Sequence, residues 1–508
     1  MPTAANGGAD RASAAARLAG GLHVCRHLVV EADTETPVSA WLKLAQEGRG
    51  DFLLESVEGG RTRGRYSLIG LDPDLAFRAN GPSAEINRQW RTNREDFRPA
   101  AAPTLDALRG LVASIRMEVP AGLPPALPFL VGYFGYETAG LVEKLPVPAS
   151  DPLAVPDMVF VRPGLLLVFD RLADTLTLVA PVYADAGTDP EQALTAADER
   201  LQAAAARLTR PLPPRAPTPD LPATTEPTLT LAPGRYHEMV AAAKNYIAAG
   251  DVFQVVLAQR FSLPFPLPPF QLYRALRRVN PSPFLYHLDL PGFAVIGSSP
   301  EILVRARDGE VTIRPIAGTR PRGQTDAQDE ANRQSLLTDP KELAEHLMLL
   351  DLGRNDVGRV AAAGSVKVTE RFTIERYSHV MHIVSNVVGR QKPGTDAIDA
   401  LLAGFPAGTV SGAPKVRAMQ IIAELESEKR GPYAGGVGYF APDGGMDSCI
   451  ILRTAVVKDG VMHVTAGAGI VTDSDPAAEQ RECEHKAGAL MAAARAALAA
   501  AAEPGFGQ

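Results

Sequence analysis

Several features that would narrow a reading quickly are missing from this sequence. Cysteine is scarce: Cys25, Cys449 and Cys483 are widely spaced and odd in number among 508 residues, which excludes a disulfide framework and a cysteine-based zinc site. That usage suits a reducing cytoplasm. No uninterrupted apolar run approaches membrane-spanning length, and the first twenty residues lack the apolar centre of a secretory signal, so no membrane association is expected. A basic surplus is also missing. Lys and Arg number 51 against 58 Asp and Glu, a formal charge of -7, and a broad basic surface for nucleic acid is thereby excluded. Nucleotide fingerprints are absent too: the 408–415 segment GTVSGAPK fails the P-loop spacing, and the glycines at 467 and 469 do not complete a dinucleotide motif.

What is present is globular. Hydrophobic residues make up 46% and charged residues 21%, and 508 residues exceed one ordinary core, so two lobes or one double-layered domain is expected. Residues 1–20, rich in alanine and glycine, read as a disordered tail. From 21 to 209 strand-like runs alternate with helical ones such as Glu191 to Leu208. Residues 210–233 are rich in proline and threonine without apolar periodicity, which predicts a linker or long surface loop at a lobe boundary. The 234–500 segment alternates again, with helices predicted near Lys341–Leu352, Lys415–Glu426 and Ala477–Ala500. Strands are predicted at Val311–Ile316, Cys449–Val457 and Val461–Ala466, among others, and 501–508 form a C-terminal tail. The pattern is mixed α and β.

Two helix starts carry paired carboxylates. Asp339-Pro340 supplies an N-cap and N1 proline, and Glu342 and Glu345 follow on a face away from the Leu343, Leu347 and Leu350 stripe. Asp475-Pro476 opens a second helix in the same way, and Glu479, Glu482 and Lys486 share one side of it. Each pair alone could be a capped, solvated surface helix. Together they suit Mg²⁺, a hard cation that takes one or two carboxylates, waters and substrate oxygens.

Three further segments invite chemistry. Arg453 lies in the otherwise apolar run Cys449–Val457, where a buried guanidinium needs an anionic partner, either a ligand or an internal salt bridge, unless it sits on an edge strand facing water. His382 also sits in an apolar run, as a catalyst or as a satisfied core histidine. Gly467 and Gly469 at a strand end would let backbone N–H groups approach an anion, or would simply form a turn.

Read together, the segments PIAGTRPR (315–322), ELAEH (342–346), DLGRND (351–356), FPAGTVSGAPK (405–415) and GAGIV (467–471) resemble the motifs of the chorismate-utilising enzymes, over roughly Tyr236 to Leu490. The resemblance implies an α+β fold of two facing, mostly antiparallel β-sheets flanked by helices in α/β/β/α layers, both halves of the chain contributing. It also implies chorismate as substrate. Members of the family that form aminodeoxychorismate typically place a lysine where Ala317 stands, and those that form isochorismate place one where Gln254 stands. An alanine cannot attack the ring and an amide is a poor base. The chain therefore resembles the anthranilate-forming branch, which uses ammonia. The aminodeoxychorismate branch and a non-catalytic tryptophan-sensing or scaffold subunit are the alternatives.

By the same resemblance, Mg²⁺ is held by Glu345 and Glu482 with Glu342 and Glu479 behind them, and Lys486 adds positive charge. Arg453 and Tyr433 hold the enolpyruvyl carboxylate beside the backbone of Gly467, Ala468 and Gly469, while Gly318 and Thr319 line the ring pocket. Glu301 is the acid for the departing hydroxyl, His382 assists removal of a ring proton and Thr409 assists positioning. The N-terminal segments LLES (53–56) and NPSPF (280–284) resemble those of a tryptophan feedback site, which implies that Glu55, Ser56, Pro283, Phe284 and Leu285 bind tryptophan as inhibitor. No cysteine lies in a glutaminase-type nucleophile elbow, so ammonia is expected from a separate glutamine amidotransferase subunit, with two copies of each chain in the complex.

Overall fold

Asp51–Glu58 pairs antiparallel with Phe284–Leu290, placing Glu55 directly opposite Leu285, so the first half of the chain is stitched into the second. The computed structural model describes residues 8–503 apart from 59–61, 121, 124–126, 186, 188, 215–216, 223 and 378–379. Among the described residues there are two sheets of twelve strands each. One runs in the order Val24–Glu31, Thr175–Val182, Leu165–Asp170, Thr62–Leu71, Asp51–Glu58, Phe284–Leu290, Phe293–Ser299, Thr454–Lys458, Val461–Ile470, Gln254–Pro264 and Thr228–Leu229, with Gly412–Ala413 beside Gln254–Pro264. The other runs Ile316–Pro321, Val380–Arg390, Glu310–Ile313, Ile302–Arg307, Met446–Ile450, Gly436–Phe440, Leu130–Phe134, Met158–Arg162, Leu75–Asn80, Ser83–Asn87 and Arg98–Pro99, with Lys367–Arg376 on the far side of Val380–Arg390.

The two sheets face each other, as the edge-to-face contact of Tyr133 with Phe293 across them shows. Helices Pro476–Ala502, Pro269–Val279, Arg235–Ala248 and Lys415–Glu426 cover the first sheet, and Pro340–Val360, Asp326–Thr338 and Ala397–Gly404 cover the second. Central strands such as Leu130–Phe134, Met158–Arg162 and Phe293–Ser299 are accordingly buried at every position. A sheet covered on both faces selects continuous apolar runs rather than alternation. The two motif-bearing helices begin as their sequences predict. The Asp339 carboxylate accepts from the Lys341 and Glu342 N–H groups, the Asp475 carboxylate accepts from Ala478 N–H, and proline follows each cap.

The structure corrects six expectations. Residues 210–233 do not separate two lobes: both sheets draw strands from both sides of them, and Thr228–Leu229 itself pairs with Gln254–Pro264. Such long-range pairing leaves no trace in local composition. The predicted tail at 1–20 instead contains the helix Gly8–Ala19, held by Arg11 to Asp198 at 2.8 Å and by burial of Ala14 and Leu18; residues 1–7 lie outside the described residues. At the other end, the Pro476–Ala502 helix runs into the expected 501–508 tail, of which 504–508 lie outside the described residues. The run Cys449–Val457 is two strands in different sheets, with Arg453 in the crossover at φ 49°. Gly467, Ala468 and Gly469 lie inside the strand Val461–Ile470 rather than at its end. Similarly, Val311–Ile316 breaks into Glu310–Ile313 and Ile316–Pro321.

Candidate active site

The helices 340–360 and 476–502 bring their first turns toward one another. Glu345 is shifted up by burial and then by the negative charges of Glu342 and Glu482, one from its own helix and one from the other. Glu479 is likewise raised, chiefly by burial, with Glu482 adding to it. Glu482 pairs with Lys486 at 2.7 Å, and Lys486 Nζ donates to the Gly467 carbonyl at 2.9 Å, which ties this helix to the glycine strand. Gln254 Nε2 donates to Glu345 Oε1 at 3.5 Å. A Cβ on Gly469 would fall 2.5 Å from the same amide nitrogen, so glycine is what lets Gln254 reach across. Glu342 does not close a capping box; it pairs with Arg320 at 3.0 Å, and Arg320 also holds Asp339 at 2.7 Å.

This donor set suits Mg²⁺ in kind. The negative charges of Glu342 and Glu482 disfavour the Glu345 carboxylate, a repulsion that a divalent cation would relieve, and these side chains offer only hard oxygen ligands. Among the described residues no three His, Cys, Asp or Glu side chains stand close enough to enclose a metal by themselves. The protein would thus supply two carboxylates and leave the other positions to water and substrate.

On the second sheet the chemistry is acid–base. Glu301 is buried, accepts from the Thr409 hydroxyl at 3.0 Å and from Ile316 N–H, and burial pushes its pKa up to about 8. At neutral pH it is a protonated acid. His382 Nδ1 lies 2.9 Å from the Gly318 carbonyl and 3.1 Å from the Thr319 hydroxyl. A carbonyl only accepts, so Nδ1 carries the proton and Nε2 keeps its lone pair. Burial lowers the pKa of His382 to about 4, the Gly318 bond opposing this and the Arg453 charge reinforcing it, so the ring is neutral. Tyr377 meets the His382 ring edge-on at 5.4 Å.

The Arg453 guanidinium has neither an ion pair nor a hydrogen-bond partner among the described residues. Burial lowers its pKa, with Tyr377 the nearby group that opposes the shift. An unpaired, largely desolvated guanidinium is costly unless an anion meets it. Arg453 stands in the crossover between the two sheets. Near it, Tyr433 is buried and lies so close to the strand 461–470 that a Cβ on Gly467 would come 2.7 Å from its hydroxyl. The pairing of Thr454–Lys458 with that strand ends at Ala455 opposite Val464, so among the described residues no strand covers its backbone edge near Gly467 and Gly469 on that side. Gly318, at φ 71°, leaves room beside Glu342 Oε2, to which an added Cβ would come within 3.1 Å. The two halves of the site thus meet at Gly318.

The expected inhibitor residues gather elsewhere, around the pair Glu55 and Leu285. Both oxygens of Glu55 are engaged: Arg277 pairs with them at 2.5 Å, Arg171 at 2.7 Å, and Tyr273 and Ser67 donate at 2.7 and 3.0 Å. Glu55 therefore frames the region instead of offering a free carboxylate. Ser56 faces Gly64, where a Cβ would strike its hydroxyl. Phe284 is opposite Ser299, and Pro283 leads into the same strand.

Sequence reasoning missed the buried pair Arg430–Glu426, in which Arg430 also donates to the Val410 and Val256 carbonyls and stands over the Tyr136 and Tyr433 rings. Its i,i+4 spacing at the end of a helix was the available signal. It also missed His346, fully buried with Nε2 at 2.7 Å from the Ser385 hydroxyl, and the buried pair Lys415–Asp356 at 2.8 Å.

Two facing sheets with a buried acid, an unpaired guanidinium and paired glutamates define an enzyme that binds a small polyanion. The description "chorismate binding enzyme" matches residues 51–492, and the chain belongs to that family. It is 54% identical to anthranilate synthase component 1 of Cereibacter sphaeroides over 463 residues, covering 91% of this chain and 93% of that one. The Thermus thermophilus protein of the same name is 47% identical over 464 residues, 91% and 96% covered. The crystal structure of anthranilate synthase component I from Streptococcus pneumoniae superposes with a TM-score of 0.72 at 35% identity, over 91% of this chain and 98% of that one. A menaquinone-specific isochorismate synthase of Escherichia coli, 20% identical with a TM-score of 0.69 over 95% of this chain and 99% of that one, shares the fold.

Proposed function

We infer that the chain is the chorismate-binding component of an anthranilate synthase, converting chorismate and ammonia to anthranilate and pyruvate for tryptophan biosynthesis. The observation that carries this reading is the nucleophile side of the cleft. An amide, Gln254, touches Glu345, and Ala317 stands one residue from Gly318, so neither position offers an amine or a base. A site with an acid but no built-in nucleophile needs a reactant that is already nucleophilic, and ammonia is one.

The unpaired Arg453, with Tyr433 and the open edge near Gly467, Ala468 and Gly469, supports binding of the enolpyruvyl carboxylate. Glu345 and Glu482, with Glu342 and Glu479 behind them, would hold Mg²⁺, which when bound supplies positive charge for the ring carboxylate. Lys486 adds a positive charge at the same end. Protonated Glu301, oriented by Thr409, gives its proton to the departing ring hydroxyl. Neutral His382, oriented through Nδ1 by Gly318 and Thr319, presents Nε2 to accept the ring proton whose removal expels pyruvate and makes the ring aromatic.

All three cysteines are buried, and burial raises the thiol pKa of Cys25 and Cys483 to about 12 and about 11. None suits glutamine hydrolysis, which supports a separate glutamine amidotransferase as ammonia source, in a complex with two copies of each chain. Tryptophan binding around Ser56, Pro283, Phe284 and Leu285, framed by Glu55, would supply feedback inhibition. The described helices include none long and apolar enough to cross a membrane, and a cytoplasmic location accords with three unpaired thiols. The test is direct: purified chain with chorismate, Mg²⁺ and ammonium is expected to develop anthranilate fluorescence. A para-aminated product, or no turnover, overturns the reading.

A further inference from the structure

The motif 351–356, which the proposed chemistry leaves unused, meets 405–415, which supplies Thr409 to Glu301. Lys415 Nζ bonds to Asp356 Oδ2 at 2.8 Å and reaches the Gly404 carbonyl at 3.4 Å; Asp356 is buried and Lys415 partly so. A chamber of about 30 Å³ is lined by Glu301 and Thr409 and also by Asp356 of this ion pair, with Leu352, Gly353 and Gly408 among its other walls. About 10–15 Å³ and two or more polar partners are enough to hold a water molecule. This chamber has both, and apolar residues form the rest of its wall.

We propose that Asp356, with Lys415, is a positioning residue that recharges Glu301 through water in this chamber. The inference rests on Glu301 being the acid of the proposed reaction. When the ring hydroxyl leaves as water it takes the Glu301 proton and leaves a carboxylate in a buried site that strongly favours the neutral acid. A second turnover needs that proton back. The chamber water gives one O–H proton to Glu301 and takes one that passes from the Lys415 ammonium by way of the Asp356 carboxylate, and solvent then reprotonates the Lys415 amine; only protons move. The charged groups around the path are few: Asp356 faces Lys415 and Arg359, and Glu301 lies near Tyr377. Lys415 holds Asp356 in place, and the Asp356 pKa is raised by burial against the opposing Lys415 charge.

Gly353 provides a test that does not depend on removing a buried charge. A Cβ there would sit 3.5 Å from Pro315 and 3.6 Å from Ile313, ordinary contact, so Gly353→Ala adds a methyl at the chamber wall without a clash. Alanine is also favoured over glycine inside a helix. With ammonium, chorismate and Mg²⁺ in excess, Gly353→Ala and Asp356→Asn are expected to lower kcat at least ~10-fold with KM for chorismate unchanged, as loss of one proton-transfer element does. The solvent deuterium isotope effect on kcat should rise in both. Glu301→Gln is measured alongside. If Glu301→Gln is inactive while Gly353→Ala keeps the parent kcat and isotope effect, the relay is wrong and the acid assignment stands. A fall in kcat with a changed KM or an unchanged isotope effect also overturns the relay, whereas an active Glu301→Gln removes the acid assignment itself. Should Asp356→Asn fail to fold, Gly353→Ala decides alone.

Discussion

The Thr409 hydroxyl donates to Glu301 Oε1 at 3.0 Å, and this bond favours the carboxylate form of an acid that burial otherwise keeps neutral. If turnover needs the protonated acid, kcat falls as pH rises through about 8. Thr409→Val removes the bond and leaves burial unopposed from that side. The alkaline limb of the kcat profile should then move upward by ~0.5–1 pH unit, since one hydrogen bond contributes about 1 kcal/mol. A limb that stays in place or moves down contradicts the arrangement.

The same acid carries a stability cost with a definite sign. A folded-state pKa raised from 4.5 to about 8 means that stability is complete below pH 4.5 and is lost as pH rises through about 8. Glu301→Gln mimics the neutral form at every pH. Its Tm should match the parent near pH 4 and exceed it at pH 9, with a stability gain at pH 7 on the order of 3 kcal/mol. Equal melting temperatures across that range would show that Glu301 ionises freely in the fold.

Much of this site is legible in the sequence, and the parts that are not share a cause. The caps Asp339 and Asp475, their prolines and the spacing of Glu342, Glu345, Glu479 and Glu482 are local, and both helices begin where those signals place them. Arg453 was misplaced because Cys449–Val457 is apolar apart from Arg453 and Thr454, although the chain crosses between sheets within it. Apolar periodicity reports burial but not which sheet buries a residue. Interleaving of the two halves is hidden for a similar reason: the pairing of Asp51–Glu58 with Phe284–Leu290 is a long-range choice with no local signature. His346 and Asp356 sat inside recognised motifs, yet their partners Ser385 and Lys415 come from other segments.

Arg453 offers a prediction in which binding and stability move apart. Arg453→Met deletes an unpaired cation from a buried place and keeps a similar apolar stem, so the Tm should hold or rise. Chorismate should bind much less well, KM increasing about 100-fold for the loss of a charged, two-pronged contact. A Tm that falls sharply would instead reveal an internal partner for the guanidinium.

For the metal, Glu345→Gln combined with Glu482→Gln removes the two carboxylates that face each other from separate helices. Lys486 keeps its bond to the Gly467 carbonyl, so the strand edge stays in place. The Mg²⁺ concentration for half-maximal activity should rise at least ~10-fold, and a Mg²⁺-induced increase in Tm should shrink with it. Unchanged magnesium dependence would remove Glu345 and Glu482 as ligands.

Glu55 offers a test of the proposed inhibition by tryptophan. Burial pushes its pKa up, but the hydrogen bond and charge of Arg277, with Tyr273 and Arg171, outweigh burial and leave it below the usual carboxylate range. Such a group contributes stability above its ordinary pKa of 4.5 and loses that contribution as pH falls. Glu55→Gln leaves Arg277 and Arg171 without their counter-charge, and breaking a buried pair from one side costs about 3–5 kcal/mol. The loss should be measurable at pH 7 by denaturant titration and should narrow below pH 4.5, where the carboxylate of the unfolded parent begins to protonate. Because Glu55 bonds Tyr273 and Arg277 on one side of Leu285, its neutralisation should loosen the strand pair 51–58 and 284–290. Half-inhibition by tryptophan should then need at least ~10-fold more tryptophan, while uninhibited kcat with ammonium stays within about twofold of the parent. Retained tryptophan sensitivity in a folded Glu55→Gln protein would detach the Arg277–Glu55–Tyr273 cluster from the regulatory site and place the inhibitor on other residues.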